Sequence, residues 1–144
     1  DFLTNNNIGI CDIVASATRK KIDASDIGME DVVLRDLISV LEKYPKVTTL
    51  LFTGGNSKNG PEYFFRRYLK QYGISLTNIS SEVPRIHEVI LPKSLRKIKT
   101  VSLIAPSGAA NRAVGSLQKY KEMKLKYPSK TTIDFRVEQY KKHF

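Results

Sequence analysis

Apolar positions recur along the chain in short runs whose period changes from segment to segment. After a polar start, Ile8 to Ala15 forms a brief apolar segment, and Ser16 to Lys21 turns polar and basic. Ser25 and Asp26 are candidate helix caps around a turn at Gly28. From Glu30 to Tyr44, Val33, Leu37, Leu41 and Tyr44 fall on one stripe that Leu34 and Ile38 widen, which predicts a helix stopped by Pro45. Val47 to Thr53 reads as a buried strand closed by Gly54-Gly55. Pro61 suits the first position of a helix that runs to about Tyr72, with Gly73 just beyond its end. Phe64, Phe65, Tyr68, Leu69 and Tyr72 would cover the sheet, with Arg66, Arg67 and Lys70 on the other face.

The second half repeats the alternation. A Ser-, Thr- and Asn-rich loop leads to a strand from Arg85 to Leu91, and Pro92 to Lys99 forms a basic turn into the strand around Thr100 to Ile104. Pro106 cannot extend a ladder, so Pro106-Ser107-Gly108 ends that strand and opens a helix that runs towards Tyr127. In an open α/β sheet such a junction is where ligands bind, and the N–H groups of Ser107, Gly108 and Ala109 would point at them. Pro128-Ser129 breaks the helix, and a last one, Thr132 to His143, packs Ile133, Val137 and Tyr140. These signals predict one domain over residues 1–144, a three-layer α/β/α sandwich around a mainly parallel sheet.

Charge sharpens this picture. Residues 1–84 hold 10 basic and 10 acidic side chains, whereas residues 85–144 hold 14 and 4, so the entire net charge of +10 lies in the C-terminal part. A localised excess of this kind points to a polyanion such as nucleic acid. The single Cys11 excludes an intrachain disulfide, His87 and His143 lack metal-ligand spacing, and no apolar run reaches membrane-spanning length. The expectation is a cytoplasmic monomer without metal, cofactor or membrane partner. Gly54 to Gly60 lacks the Gly-Lys-Ser/Thr ending of a nucleotide-binding P-loop, and neither Ser16 nor Ser107 sits in a Gly-x-Ser-x-Gly elbow.

Two stretches resemble the uracil-DNA glycosylase superfamily, in particular its hypoxanthine and mismatch-specific branch. Gly9-Ile10-Cys11-Asp12-Ile13-Val14-Ala15-Ser16-Ala17-Thr18-Arg19-Lys20 is similar to the segment that shapes the base pocket. Ala105-Pro106-Ser107-Gly108-Ala109-Ala110-Asn111-Arg112 is similar to the loop that enters the DNA minor groove, and Thr49 to Gly54 resembles the middle strand and its turn. The resemblance covers nearly all of the chain to Val114. It departs from the family twice: no residue matches the earlier strand and loop whose Asn or Asp orients the attacking water, the chain beginning after that motif, and Ala109-Ala110 are small where a bulky wedge is common.

The resemblance implies a monofunctional glycosylase that flips a uracil, hypoxanthine or mismatched base from DNA and hydrolyses its N-glycosidic bond. Asp12 and Asn111 are then the candidate catalytic residues, Asp12 accepting from a base N–H or orienting water, and Ser16 belongs to the base pocket. Ser107 and Gly108 would hold a DNA phosphate, Asn111 and Arg112 would fill the gap left by the flipped base, and Lys93, Arg96, Lys97 and Lys99 would add phosphate contacts beside the same sheet end. The alternatives are a noncatalytic nucleic-acid-binding module on this scaffold and a small-molecule enzyme that binds a nucleotide at the same edge.

Overall fold

The computed structural model describes residues 1–23 and 25–144. A short helix α1 (Phe2–Asn5) precedes a hairpin, β1 (Val14–Arg19) and β2 (Met29–Leu34), joined through a 3-10 turn at Asp26–Gly28. Then follow α2 (Leu37–Lys43), β3 (Thr49–Phe52), α3 (Pro61–Lys70), β4 (Thr77–Ser80), β5 (Arg85–Ile90), β6 (Lys97–Ser102), α4 (Gly108–Val114), α5 (Gln118–Lys126) and α6 (Thr132–Lys141). The fold is mixed α/β. Its main sheet has the order β3-β6-β5-β4, and β1-β2 stand apart as a two-stranded antiparallel sheet.

The main sheet is not mainly parallel, as the alternating elements had suggested, but mixed. Only β3 and β6 pair in parallel, whereas β6-β5 and β5-β4 are antiparallel. The turn at Leu91 to Arg96 is too short for a crossover, so β5 returns directly beside β6, and Thr77–Ser80 forms an extra edge strand where a loop was expected.

Alternation in β6 decides what each face carries. Ile98, Thr100 and Ser102 share one face, and the register adds Phe52 from β3 and Arg85, His87 and Val89 from β5. Ile98, Val89 and Phe52 meet Leu37, Ile38 and Leu41 of α2 and Phe65, Tyr68 and Leu69 of α3 in the main core. On the other face lie Val101 and Leu103, both buried. There α6 meets the strand's end, where Tyr140 donates to the Ile104 carbonyl at 2.6 Å and Gln139 Oε1 accepts from the Ile104 N–H at 2.8 Å.

Three predicted helices change. The helix read over Glu30 to Tyr44 is a strand and a shorter helix: Val32-Val33 favour extended backbone, and Asp36 caps α2 by accepting from Ser39 N–H and Oγ. Tyr68 locks that cap to α3, donating to Asp36 Oδ1 and accepting from the Ile38 N–H at 2.9 Å. The helix read from Gly108 to Tyr127 breaks at Gly115-Ser116-Leu117 into α4 and α5. In α6 the expected apolar stripe does not decide the packing, for Ile133 and Val137 stand half exposed while Gln139 is buried. Tyr72, expected over the sheet, is also half exposed.

Candidate functional site

The carboxyl ends of the two parallel strands lie side by side, and the loops leaving them touch. A Cβ built on Gly54 would stand 2.8 Å from Pro61 Cδ and 3.8 Å from Ala105 Cβ, so only glycine lets the loop after β3 pass between α3 and the loop after β6. That loop is held rather than slack. Asn59, buried and at φ 63°, donates to the Asp26 and Met29 carbonyls at the hairpin tip, and a Cβ on Gly60 would lie 2.6 Å from the Gly55 carbonyl oxygen. The flexible connection that its composition suggests is therefore a closed, tethered loop.

Beside it, Pro106 to Ala109 and Arg112 are exposed, as the strand-turn-helix reading requires. The local chemistry differs from that expectation in two respects. Ser107 Oγ accepts from the Ala110 N–H at 3.2 Å and its own N–H is committed to the Ala105 carbonyl at 2.8 Å, so of the two only the hydroxyl hydrogen is left to donate to an anion. Asn111 is half-buried and accepts from Arg136 Nη1 at 2.9 Å, which pins it to α6 rather than leaving it to project. Arg112 folds back near Gly108, its Nη1 3.4 Å from where a Cβ would stand.

The basic turn does not join this edge. Lys93, Arg96 and Lys97 lie at the beginning of β6 and Ser107 lies beyond its end, so at about 3.3 Å per residue they are separated by the strand's full length of roughly 17 Å or more. Arg96 is moreover committed to the fold: its guanidinium donates to the carbonyls of Leu41, Pro45 and Val47, closing the chain after α2. Glu42 accepts from the N–H of Lys93 and Ser94, and Lys97 pairs with Glu88 at 3.5 Å. Lys99 sits in mid-strand, on the face opposite Thr100.

Asp12 and Ser16 belong to the separate hairpin. Asp12 is exposed at its base, where its carbonyl accepts from Arg35 Nε at 2.8 Å, and Ser16 is exposed in β1 opposite Val33. No hydrogen bond among the described residues joins either of them to Ser107–Arg112. Asp12 and Asn111, expected to share the chemistry, are thus carried by different elements without a described link.

A polar cluster that the sequence reading did not assemble lies at the same sheet end. Glu62, in the first turn of α3, is fully buried, and its carboxylate accepts from Ser102 Oγ at 2.6 Å, from Arg66 Nε at 2.8 Å and from Arg85 Nη2. Burial pushes this carboxyl up. The hydrogen bonds from Ser102 and Arg66 and the charges of Arg85 and Arg66 outweigh it, so Glu62 sits below its ordinary value. Arg66 Nη2 also reaches His87 Nε2 at 3.0 Å. A guanidinium only donates, so Nε2 accepts and the ring is neutral, in agreement with the depression of its pKa by burial, which the charges of Arg66 and Arg85 reinforce against the pull of Glu62. His87 Nδ1 and Thr100 Oγ1, in register on β5 and β6, are buried without a partner among the described residues. The signal in the sequence was the Glu62-Arg66 spacing of four, with Arg85, His87, Thr100 and Ser102 at alternating positions of apolar strands.

Comparisons with protein-family models, with curated proteins and with solved structures found no match to this chain. No helix among the described residues is long and apolar enough to cross a membrane.

Proposed function

We propose that the domain binds DNA along the carboxyl ends of β3 and β6 and, following the resemblance of its two loops, acts as a base-excising glycosylase. The observation that carries the binding part is the approach of Gly54 to Ala105 at one sheet end, which sets the tethered Gly54–Gly60 loop beside the exposed Pro106–Ala109 turn and Arg112. Lys58 and Arg112 are exposed there, and Arg85 stands just behind Gly55. A phosphate chain crossing that end meets cations and exposed backbone, the contact types that position a duplex. Excision would extrude a base towards the same end, at a cost of a few kcal/mol that a damaged or mispaired base lowers.

The hairpin location of Asp12 and Ser16 favours a second reading, in which the scaffold binds without cutting. One assay separates the two: release of free base from duplexes carrying a single uracil, hypoxanthine or mismatched thymine, alongside binding of the same duplexes at several salt concentrations. Salt-dependent binding with base release supports the glycosylase, and binding without release supports the binding module. Failure to bind any duplex at low salt overturns both.

A further inference from the structure

Around Glu62 the charges do not balance. One fully buried carboxylate faces two guanidiniums, His87 is neutral because its Nε2 accepts from Arg66, and no second carboxylate pairs with either arginine among the described residues. The cluster therefore keeps an excess of one positive charge in a half-enclosed place, where charge is less screened than at an open surface. Both guanidinium side chains remain about one-third exposed, 34% for Arg66 and 33% for Arg85.

Donor capacity remains as well. A guanidinium carries five N–H donors in a fixed fork, and the described contacts of Arg85 use a single nitrogen, Nη2 on Glu62. Arg66 commits Nε and Nη2. Glu62 thus acts as a brace that fixes the direction of Arg85 while leaving most of its fork unused. A Cβ built on Gly55 would lie 4.0 Å from Arg85 Nη2. Any side chain longer than a methyl at this place would begin to cover the guanidinium.

We infer that Arg85, braced by the buried carboxylate of Glu62 and assisted by Arg66, is a receptor for one phosphate group beside Gly55 at the end of β6. A phosphate oxyanion fits because two of its oxygens match the planar fork and its charge neutralises the excess. The site rests on geometry separate from the Ser107 loop, although a backbone phosphate reaching it would do so through the DNA-binding reading given above. The ligand is then either a phosphodiester of a nucleic acid or a free phosphate ester.

The test follows the arginine Nε–H resonances of the whole chain by NMR during titration with inorganic phosphate at constant ionic strength, with chloride as the control. The expected result is a saturable shift of the Arg85 and Arg66 signals with phosphate alone; read at Arg66, phosphate binding is lost in R85Q and several-fold weaker in R85K, which keeps the charge and loses the fork. An Arg85 signal that ignores phosphate, or that moves equally with chloride, overturns the inference, and so does unchanged phosphate binding in both variants. Duplex binding identifies the source. If R85Q weakens it about tenfold, as loss of one charge-assisted contact would, the ligand is a backbone phosphate. If phosphate saturates Arg85 while R85Q binds duplex like the parent, the receptor stands and its ligand is a free phosphate ester. Absence of duplex binding by the unmodified chain removes the DNA reading and leaves the phosphate arm to stand by itself.

Discussion

Replacing Glu62 by Gln tests how much the polar cluster contributes to the fold. The substitution keeps volume and shape, so no cavity opens, but an amide has one acceptor oxygen where the carboxylate had two. The carboxylate accepts from Ser102, Arg66 and Arg85, and Glu62 itself has no exposed surface. Removing one partner from a buried ion pair costs about 3–5 kcal/mol when the remaining charge is fully enclosed. Here the stranded charges can rehydrate, since both arginines are one-third exposed, and the expected loss falls to about 2–4 kcal/mol. For a chain of this size that corresponds to a drop in Tm of about 6–16 °C. Far-UV circular dichroism during urea unfolding at pH 7 reads the loss directly, and the absence of tryptophan makes it preferable to intrinsic fluorescence. Because the folded state holds Glu62 below its ordinary 4.5, its contribution is complete above about that pH and is lost as pH falls through the lowered value. The variant should therefore also show a shallower acid limb. A loss under about 1 kcal/mol at pH 7 would refute the picture of a carboxylate bracing two guanidiniums.

Three other outcomes follow from the same geometry. Tyr68→Phe removes the hydroxyl shared by Asp36 and the Ile38 N–H, and urea midpoints should report a loss of about 1–3 kcal/mol with duplex affinity unchanged. His87, whose folded-state pKa lies below the ordinary 6.5, should leave stability flat above about that pH and erode it as pH falls towards the depressed value, because the unfolded chain takes up a proton that the folded chain resists. His143 is depressed in the same direction by burial, so the comparison of His87→Gln with its parent over pH 5–8 is made in a His143→Gln background, where the parent should keep the slope and the variant lose it. Arg112→Ala should reduce the dependence of log binding constant on log salt by about one, measured by fluorescence anisotropy, whereas Lys93→Ala should leave it unchanged.

The parts of this fold that were legible in the sequence are those with local punctuation. Pro61 and Gly73 bracketed α3, the apolar run ending at Phe52 marked β3, and Pro106-Ser107-Gly108 marked the end of β6 and the start of α4. Pairing direction was legible at β5-β6 but missed, because the Pro92 to Lys99 connection is shorter than the dozen or so residues a parallel crossover needs, so its length rather than its composition dictates the antiparallel pair. Val33, Leu34, Leu37 and Leu41 satisfied a helical stripe while half of them belong to β2, a short-run ambiguity that only the Asp36 cap and its tie to Tyr68 resolve. The basic residues misled for a related reason. Composition places charge in the second part of the chain, but Arg96 turns inward onto three carbonyls and Lys97 pairs with Glu88, whereas Arg85 gains its place through a carboxylate 23 residues earlier.

Whether nucleic acid meets the carboxyl ends of β3 and β6 is read by mapping backbone amide shifts by NMR as a short duplex is added. Binding at that sheet end should give saturable shifts concentrated in Gly54–Gly60 and Ser107–Arg112. Shifts concentrated instead in Lys93–Lys97, or no saturable shift at low salt, would contradict it.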